Sequence, residues 1–243
     1  MSSQLSVLFG KEARQITRSR RTVGAAAAVP ALMLVFVTLA DILTLRLGFG
    51  GHRIFLLSSA RSVAPDYLLR HYTLPVLVTI SALVTPSIVM GDLLFGERYR
   101  RTLELLVALP VSAFDVVLGK LGAVLLFALI VDVPLFAANV VIVSSLGYGS
   151  FSQTVALAEL LLASIAYSAV SALLVALVAG EARAANIVSG LVLGPIVPVL
   201  GAILAGVPGQ IAFSIAAAGL AVLSLLFLLW CLRLISFERL FGT

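Results

Sequence analysis

A single cysteine, Cys231, leaves no partner for an internal disulfide and no Cys-x-x-Cys redox or metal pair. Histidine is nearly as scarce. His52 and His71 are the only two, and neither stands in a metal-ligand spacing such as His-Glu-x-x-His. No metal site is expected. Charge is short as well: 11% of residues are Asp, Glu, Lys or Arg, against about a quarter in soluble domains. Aromatic residues make up 8%, so no ring-lined cavity can be read from spacing. A paired nucleophile and base, or a carboxylate cluster, is also missing, which leaves no constellation for an enzyme.

Apolar sequence fills the space. Hydrophobic residues are 61% of the 243, and the mean hydropathy is +1.18. Apolar runs this long far exceed the roughly 10 alternating residues of a membrane barrel strand, and an open sheet would leave backbone groups unpaired in lipid. The expectation is an all-α integral membrane protein forming a single transmembrane domain. At about 20 apolar residues per crossing, six spans emerge: 23–45, 74–95, 118–143, 155–179, 186–205 and 211–232. Gly190, Gly194, Pro195, Pro198 and Gly201 interrupt the fifth, as in broken or re-entrant helices.

The net charge of +5 would suggest nucleic acid in a soluble protein, but here most basic residues flank apolar spans, so no nucleic acid partner is expected. Lys11, Arg14, Arg18, Arg20, Arg21, Arg98, Arg100, Arg101, Lys120, Arg183, Arg233 and Arg239 fall on one side of the six spans; Arg46, Arg53, Arg61 and Arg70 fall on the other. The first side is then cytoplasmic and holds both termini. The first apolar run is too long for a signal peptide and lacks a clear Ala-x-Ala exit site, so it reads as an uncleaved span. Ahead of it, residues 1–22 place Leu5, Phe9, Ala13 and Ile16 on one helical face and Lys11, Arg14, Arg18 and Arg21 on another. That is an interfacial amphipathic helix, suited equally to anionic membrane lipid or to a protein partner.

The stretch GERYRRTLELLVALPVS, 96–112, breaks the apolar pattern between the second and third spans. Read as a helix, it pairs Glu97 with Arg101 and Arg100 with Glu104 at i,i+4, while Tyr99, Leu103, Leu106 and Pro110 follow one apolar face. Pro110 ends it. Ser112 and Asp115 then form a capping-box-like start to the next helix. Alternating acid with base suits a protein partner better than lipid, which favours Lys and Arg around a broad apolar face.

Glu97-Arg98-x-x-x-Thr102-Leu103-Glu104-x-Leu106, followed by Leu109-Pro110-Val111-Ser112 and Leu118-Gly119-Lys120, resembles the cytoplasmic loop of the type-2 family of ABC transporter permeases. The basic N-terminal helix, six spans and the Glu-Ala-Arg-Ala-Ala-Asn turn at Glu181 to Asn186 extend the resemblance over nearly the whole chain. The resemblance implies that 96–112 is a coupling helix docking on a separate ABC-type ATPase subunit. On that reading Glu97, Arg98, Arg100, Arg101, Thr102, Leu103, Glu104, Leu106 and Pro110 carry the contact. It further implies a plasma-membrane exporter with a second permease copy or paralogue, its ATP and magnesium bound by the ATPase. Drugs, lipids, peptides, antibiotics, ions, or a part in haem or copper-enzyme maturation are all compatible with the family. The family often has a larger extracellular re-entrant segment between its last two spans; here 206–210 is short, and 194–201 is the segment available instead.

The chain has no ATPase motif of its own. Gly91 to Gly96 has the G-x-x-x-x-G spacing of a P-loop, but Glu97-Arg98 follows where Lys and Ser or Thr are needed, and a carboxylate there repels phosphate. No cofactor is expected in this chain. Polar residues inside spans are costly in lipid and become candidates for the substrate pathway: Asp132, with Phe136 and Asn139 on its face, and Glu159 toward the outer end of the fourth span. Asp132 is expected to face a cavity between subunits. For both carboxyls, and for Asp41, the first reading is structural, through interhelical hydrogen bonds or a neutral protonated acid, as it is for the stripe Ser164, Tyr167, Ser168 and Ser171. An ion-gradient-driven transporter using Asp132 and Glu159 is the alternative; it predicts inverted repeats, and the charged loop has no second copy.

Overall fold

The computed structural model describes residues 3–41, 54–55, 62–63, 74–99, 112–145, 150–179, 182–207 and 210–234. Eight helices are described: α1 (Ser3–Arg18), α2 (Arg20–Asp41), α3 (Leu74–Tyr99), α4 (Ala113–Ser145), α5 (Phe151–Val178), α6 (Ala182–Leu193), α7 (Ile196–Gly206) and α8 (Ile211–Leu234). Between α2 and α3, Ile54–Phe55 and Ser62–Val63 pair antiparallel, with Ile54 opposite Val63. Among the described residues, four helices are long and apolar enough to cross a membrane: those containing Leu74–Leu94, Phe114–Ile142, Phe151–Val178 and Ile211–Leu234.

α5 is the central helix. It is buried along most of its length and packs against α3 on one side and α8 on the other. Two clusters hold the bundle: Met90, Leu93, Val124 and Leu173 at one end, Leu160, Phe213, Leu200 and Leu220 at the other. By contrast α8 turns much of its surface outward, including Val222, Leu226 and Trp230, as a helix bordering lipid does.

The helix ends differ from the expected spans in ways the local chemistry explains. α3 continues past Phe95 to Tyr99. α4 has 33 residues, about 50 Å at the helical rise per residue, well beyond a hydrocarbon core of about 30 Å. It starts where Ser112 caps it: the Ser112 hydroxyl accepts from the Asp115 N–H at 3.1 Å and donates to the Asp115 carboxylate at 2.7 Å. The N-terminal region is two helices rather than one segment through residue 22. Ser19 separates them, its hydroxyl accepting from the Thr22 N–H at 3.4 Å as an N-cap of α2.

The fifth apolar segment breaks where expected. α6 stops at Leu193 and α7 resumes at Ile196, with Gly194 and Pro195 in the turn. A Cβ on Gly194 would lie 2.5 Å from the Gly190 carbonyl oxygen, so only glycine fits. Pro198 falls in the first turn of α7, where a missing N–H costs nothing.

The carbonyl that Pro30 leaves without a donor is met by a hydroxyl. Pro30 removes the donor for Ala26 O, and the Thr85 hydroxyl of α3 stands 3.3 Å from it. Beside Pro86, the Leu83 carbonyl accepts from Ser168 of α5. At Pro30 a polar side chain of a neighbouring helix thus meets the acceptor that proline leaves without a donor.

Candidate functional site

The charged end of the bundle brings α1, α3 and α4 together. α1 lies along the first turns of α4, where Gly119 and Gly122 leave room: a Cβ at either would meet Leu8 or Phe9 at 3.3 Å. At the centre of this contact Lys120 Nζ stands 3.1 Å from Glu12 Oε2, and the two side chains are 0% and 1% exposed. Thr22, at the start of α2, donates to the Asp92 carboxylate near the end of α3 at 2.5 Å. The elbow between α1 and α2 therefore ties down both helices that flank 100–111.

This packing alters the expected role of the N-terminal helix. Ile16 and Leu8 of its apolar face are buried within the protein's own core instead of being presented to lipid, while Lys11, Arg14, Arg18 and Arg21 remain on the surface. Glu97 and Arg98 lie in the last turn of α3. Their side chains, and Arg100, Arg101, Thr102, Leu103, Glu104, Leu106 and Pro110 entirely, lie outside the described residues.

The second polar feature is in the bundle interior. Asp132 is 2% exposed and Asn139 is also buried. They share a face of α4 about two turns apart and line one pocket with Phe136, Met33, Leu77 and Ser81. Among the described residues, the walls of this pocket belong to α2, α3, α4 and α5. Asp132 Oδ1 accepts from Thr85 at 3.1 Å and from Ser81 at 3.4 Å. Oδ2 has no hydrogen-bond partner among the described residues.

Glu159 is elsewhere. It is exposed in a groove between the first turns of α5 and α8, where Ser214 donates to it at 3.4 Å. Asp132 and Glu159 line different cavities and do not converge. The α5 stripe is divided: Tyr167 donates to Val192 O at the end of α6 at 3.0 Å and Ser168 bonds α3, while Ser164 and Ser171 bond within α5. Among the described residues no three His, Cys, Asp or Glu side chains gather as a metal site. The side chain of Asp41 lies outside the description.

Glu12, Thr85, Ser81 and Asp92 were not singled out by sequence reasoning. Glu12 did carry a signal, as the lone acid before Asp41 in a strongly basic segment. Thr85 carried one too, as a hydroxyl one residue before a mid-helix proline.

Comparison with known proteins agrees with this architecture. No curated protein matches the chain. A family model described as "ABC-2 family transporter protein" matches residues 6–213, from the first turn of α1 to the start of α8. With that match over most of its length and a bundle of long apolar helices interrupted by one charged segment, the chain belongs to the ABC-2 transporter family.

Proposed function

We propose that this chain is the six-span permease subunit of an ATP-driven exporter, with both termini cytoplasmic. It works with a separate ABC-type ATPase and with a second permease copy or a paralogue, in the plasma membrane. The observation that carries this reading is the charged segment from Glu97 to Pro110, set between two apolar helices of a chain in this family. Further support comes from its surroundings. The Glu12–Lys120 pair and the Thr22–Asp92 bond make a stiff base for a docking helix, and a stiff base is what transmits force from a moving partner.

Six crossings are supported by how the helix starts and ends meet. Gln210, just before α8, donates to Ser150, just before α5, at 3.1 Å, so α5 and α8 begin at the same end of the bundle. Only three residues separate the end of α5 from the start of α6. The broken pair α6–α7 must then carry the chain from one end back to the other. In this reading the Asp132–Asn139 pocket and the Glu159 groove are two polar stations along the substrate route.

The test is affinity purification from native membranes with the ATPase left untagged. An ABC-type ATPase should co-purify, and its absence would overturn the reading. Leu103→Asp should then lose the ATPase while Arg101→Ala keeps it. A buried interface anchor is worth about 2 kcal/mol or more, and a rim charge at most about 1 kcal/mol.

A further inference from the structure

We propose that Asp132 and Thr85 form a proton-binding site inside the bundle, whose occupancy decides whether α3 holds the carbonyl released at the proline bend of α2. The inference goes beyond the transport reading and rests on hydrogen accounting. Thr85 is fully buried and carries one hydroxyl hydrogen. Three acceptors lie within its reach: Asp132 Oδ1 at 3.1 Å, Ala26 O at 3.3 Å and Ser81 O at 3.4 Å. One hydrogen cannot serve them all. Ala26 O is the acceptor with most to lose, since Pro30 has no N–H to offer it.

The state of Asp132 settles the competition. As a carboxylate it only accepts, and it is the strongest acceptor present, so it takes the Thr85 hydrogen and Ala26 O loses its donor from α3. When a proton from water binds Oδ1, a new O–H bond forms there and the carboxyl becomes a donor to Thr85 Oγ1. The Thr85 hydrogen is then free for Ala26 O. A directed chain of carboxyl, hydroxyl and carbonyl now joins α4, α3 and α2 across the bend.

The surroundings leave the proton as the available counter-charge. α2 gives this pocket Pro30 and Met33, α5 gives it Leu161, and among the described residues the other polar side chains lining it are Ser81 and Asn139. The charged side chains described on these helices are placed elsewhere. Arg20 and Arg21 are exposed at the start of α2, Asp92 bonds Thr22, Asp115 bonds Ser112, Lys120 pairs with Glu12, and Glu159 lies in the other groove. Tyr167, the titratable group midway along α5, is committed to Val192 O.

The experiment uses the purified full chain in lipid nanodiscs and needs neither ATPase nor substrate, so its outcome is separable from that of the permease reading. Spin labels at Leu39→Cys and Val141→Cys, both exposed, report the position of α2 beyond the bend relative to α4. Infrared difference spectra over a pH series report the Asp132 carboxyl, identified by its loss in Asp132→Asn. The distance should shift with pH at the same midpoint as the carboxyl band. Thr85→Val should keep the band and lose the distance shift, whereas Thr85→Ser, which keeps the hydroxyl, should retain both. A carboxyl band that does not titrate, or a distance shift that survives Thr85→Val, would overturn the proposal. If Asp132→Asn does not fold, the Val and Ser variants at 85 decide through the distance alone.

Discussion

Glu12 and Lys120 are each almost wholly withdrawn from solvent and stand 3.1 Å apart. Removing Lys120 leaves the buried Glu12 carboxylate to the more distant, half-exposed Lys11 at 3.5 Å, at a cost of up to about 3–5 kcal/mol, whereas replacing both members of the pair with apolar groups of similar volume is close to neutral. Lys120→Met alone is therefore expected to lower the denaturation midpoint of the purified protein sharply, and Glu12→Leu added to it should restore most of the loss. Equal destabilisation by the single and double variants would show that α1 is not held through this pair. The residue scale is also where the sequence was least legible. Spacing marks Lys120 as an orienting charge and leaves Glu12 unmarked, because an ion pair between helices has no signature in the spacing along either one. The Ser112–Asp115 cap lies within one turn of chain, and there the sequence was sufficient.

At the scale of elements, the broken helix shows both sides of this division. Glycine and proline are local breakers, so the interruption of the fifth apolar segment could be read directly from Gly194-Pro195. What stabilises the break is remote: the Tyr167 hydroxyl, from α5, donates to Val192 O at 3.0 Å, at a helix end that would otherwise leave this carbonyl unpaired. Tyr167→Phe keeps the ring and its packing beside Phe227 but leaves the carbonyl without its donor, a loss of about 1–3 kcal/mol. Amide hydrogen exchange should accelerate in α6 and the first turn of α7 while the centre of α5 stays protected. Unchanged exchange in α6 would mean that Gly194 and Pro195 hold the break unaided. At the N-terminus the reverse occurred. The amphipathic pattern runs on past Ser19, and periodicity concealed a helix boundary that only the capping bond reveals.

Over the whole molecule, charge and chain direction converge on one topology. Lys11, Arg14 and Arg18 are exposed on α1 and Arg21 at the start of α2, and the Glu12–Lys120 contact fixes α1 beside the start of α4, at the end of the bundle that also carries Ser112. Basic residues near span ends stay on the cytoplasmic side, so Ser112 should be cytoplasmic. Ser152 and Ile211 should be external together, since the Gln210–Ser150 bond joins the starts of their helices. Cys231 is buried, which allows single-cysteine reporters to be read without replacing it. Membrane-impermeant thiol reagent applied to intact cells should label Ser59→Cys, Ser152→Cys and Ile211→Cys, and should reach Ser112→Cys only after the membrane is opened. This labelling pattern can fail in two distinct ways. Inversion of all four sites would mean that the basic face of α1 does not orient the protein. Protection of Ile211→Cys alone would mean that α6–α7 enters and leaves on one side, so that the break at Gly194 turns the chain back instead of bending a crossing helix.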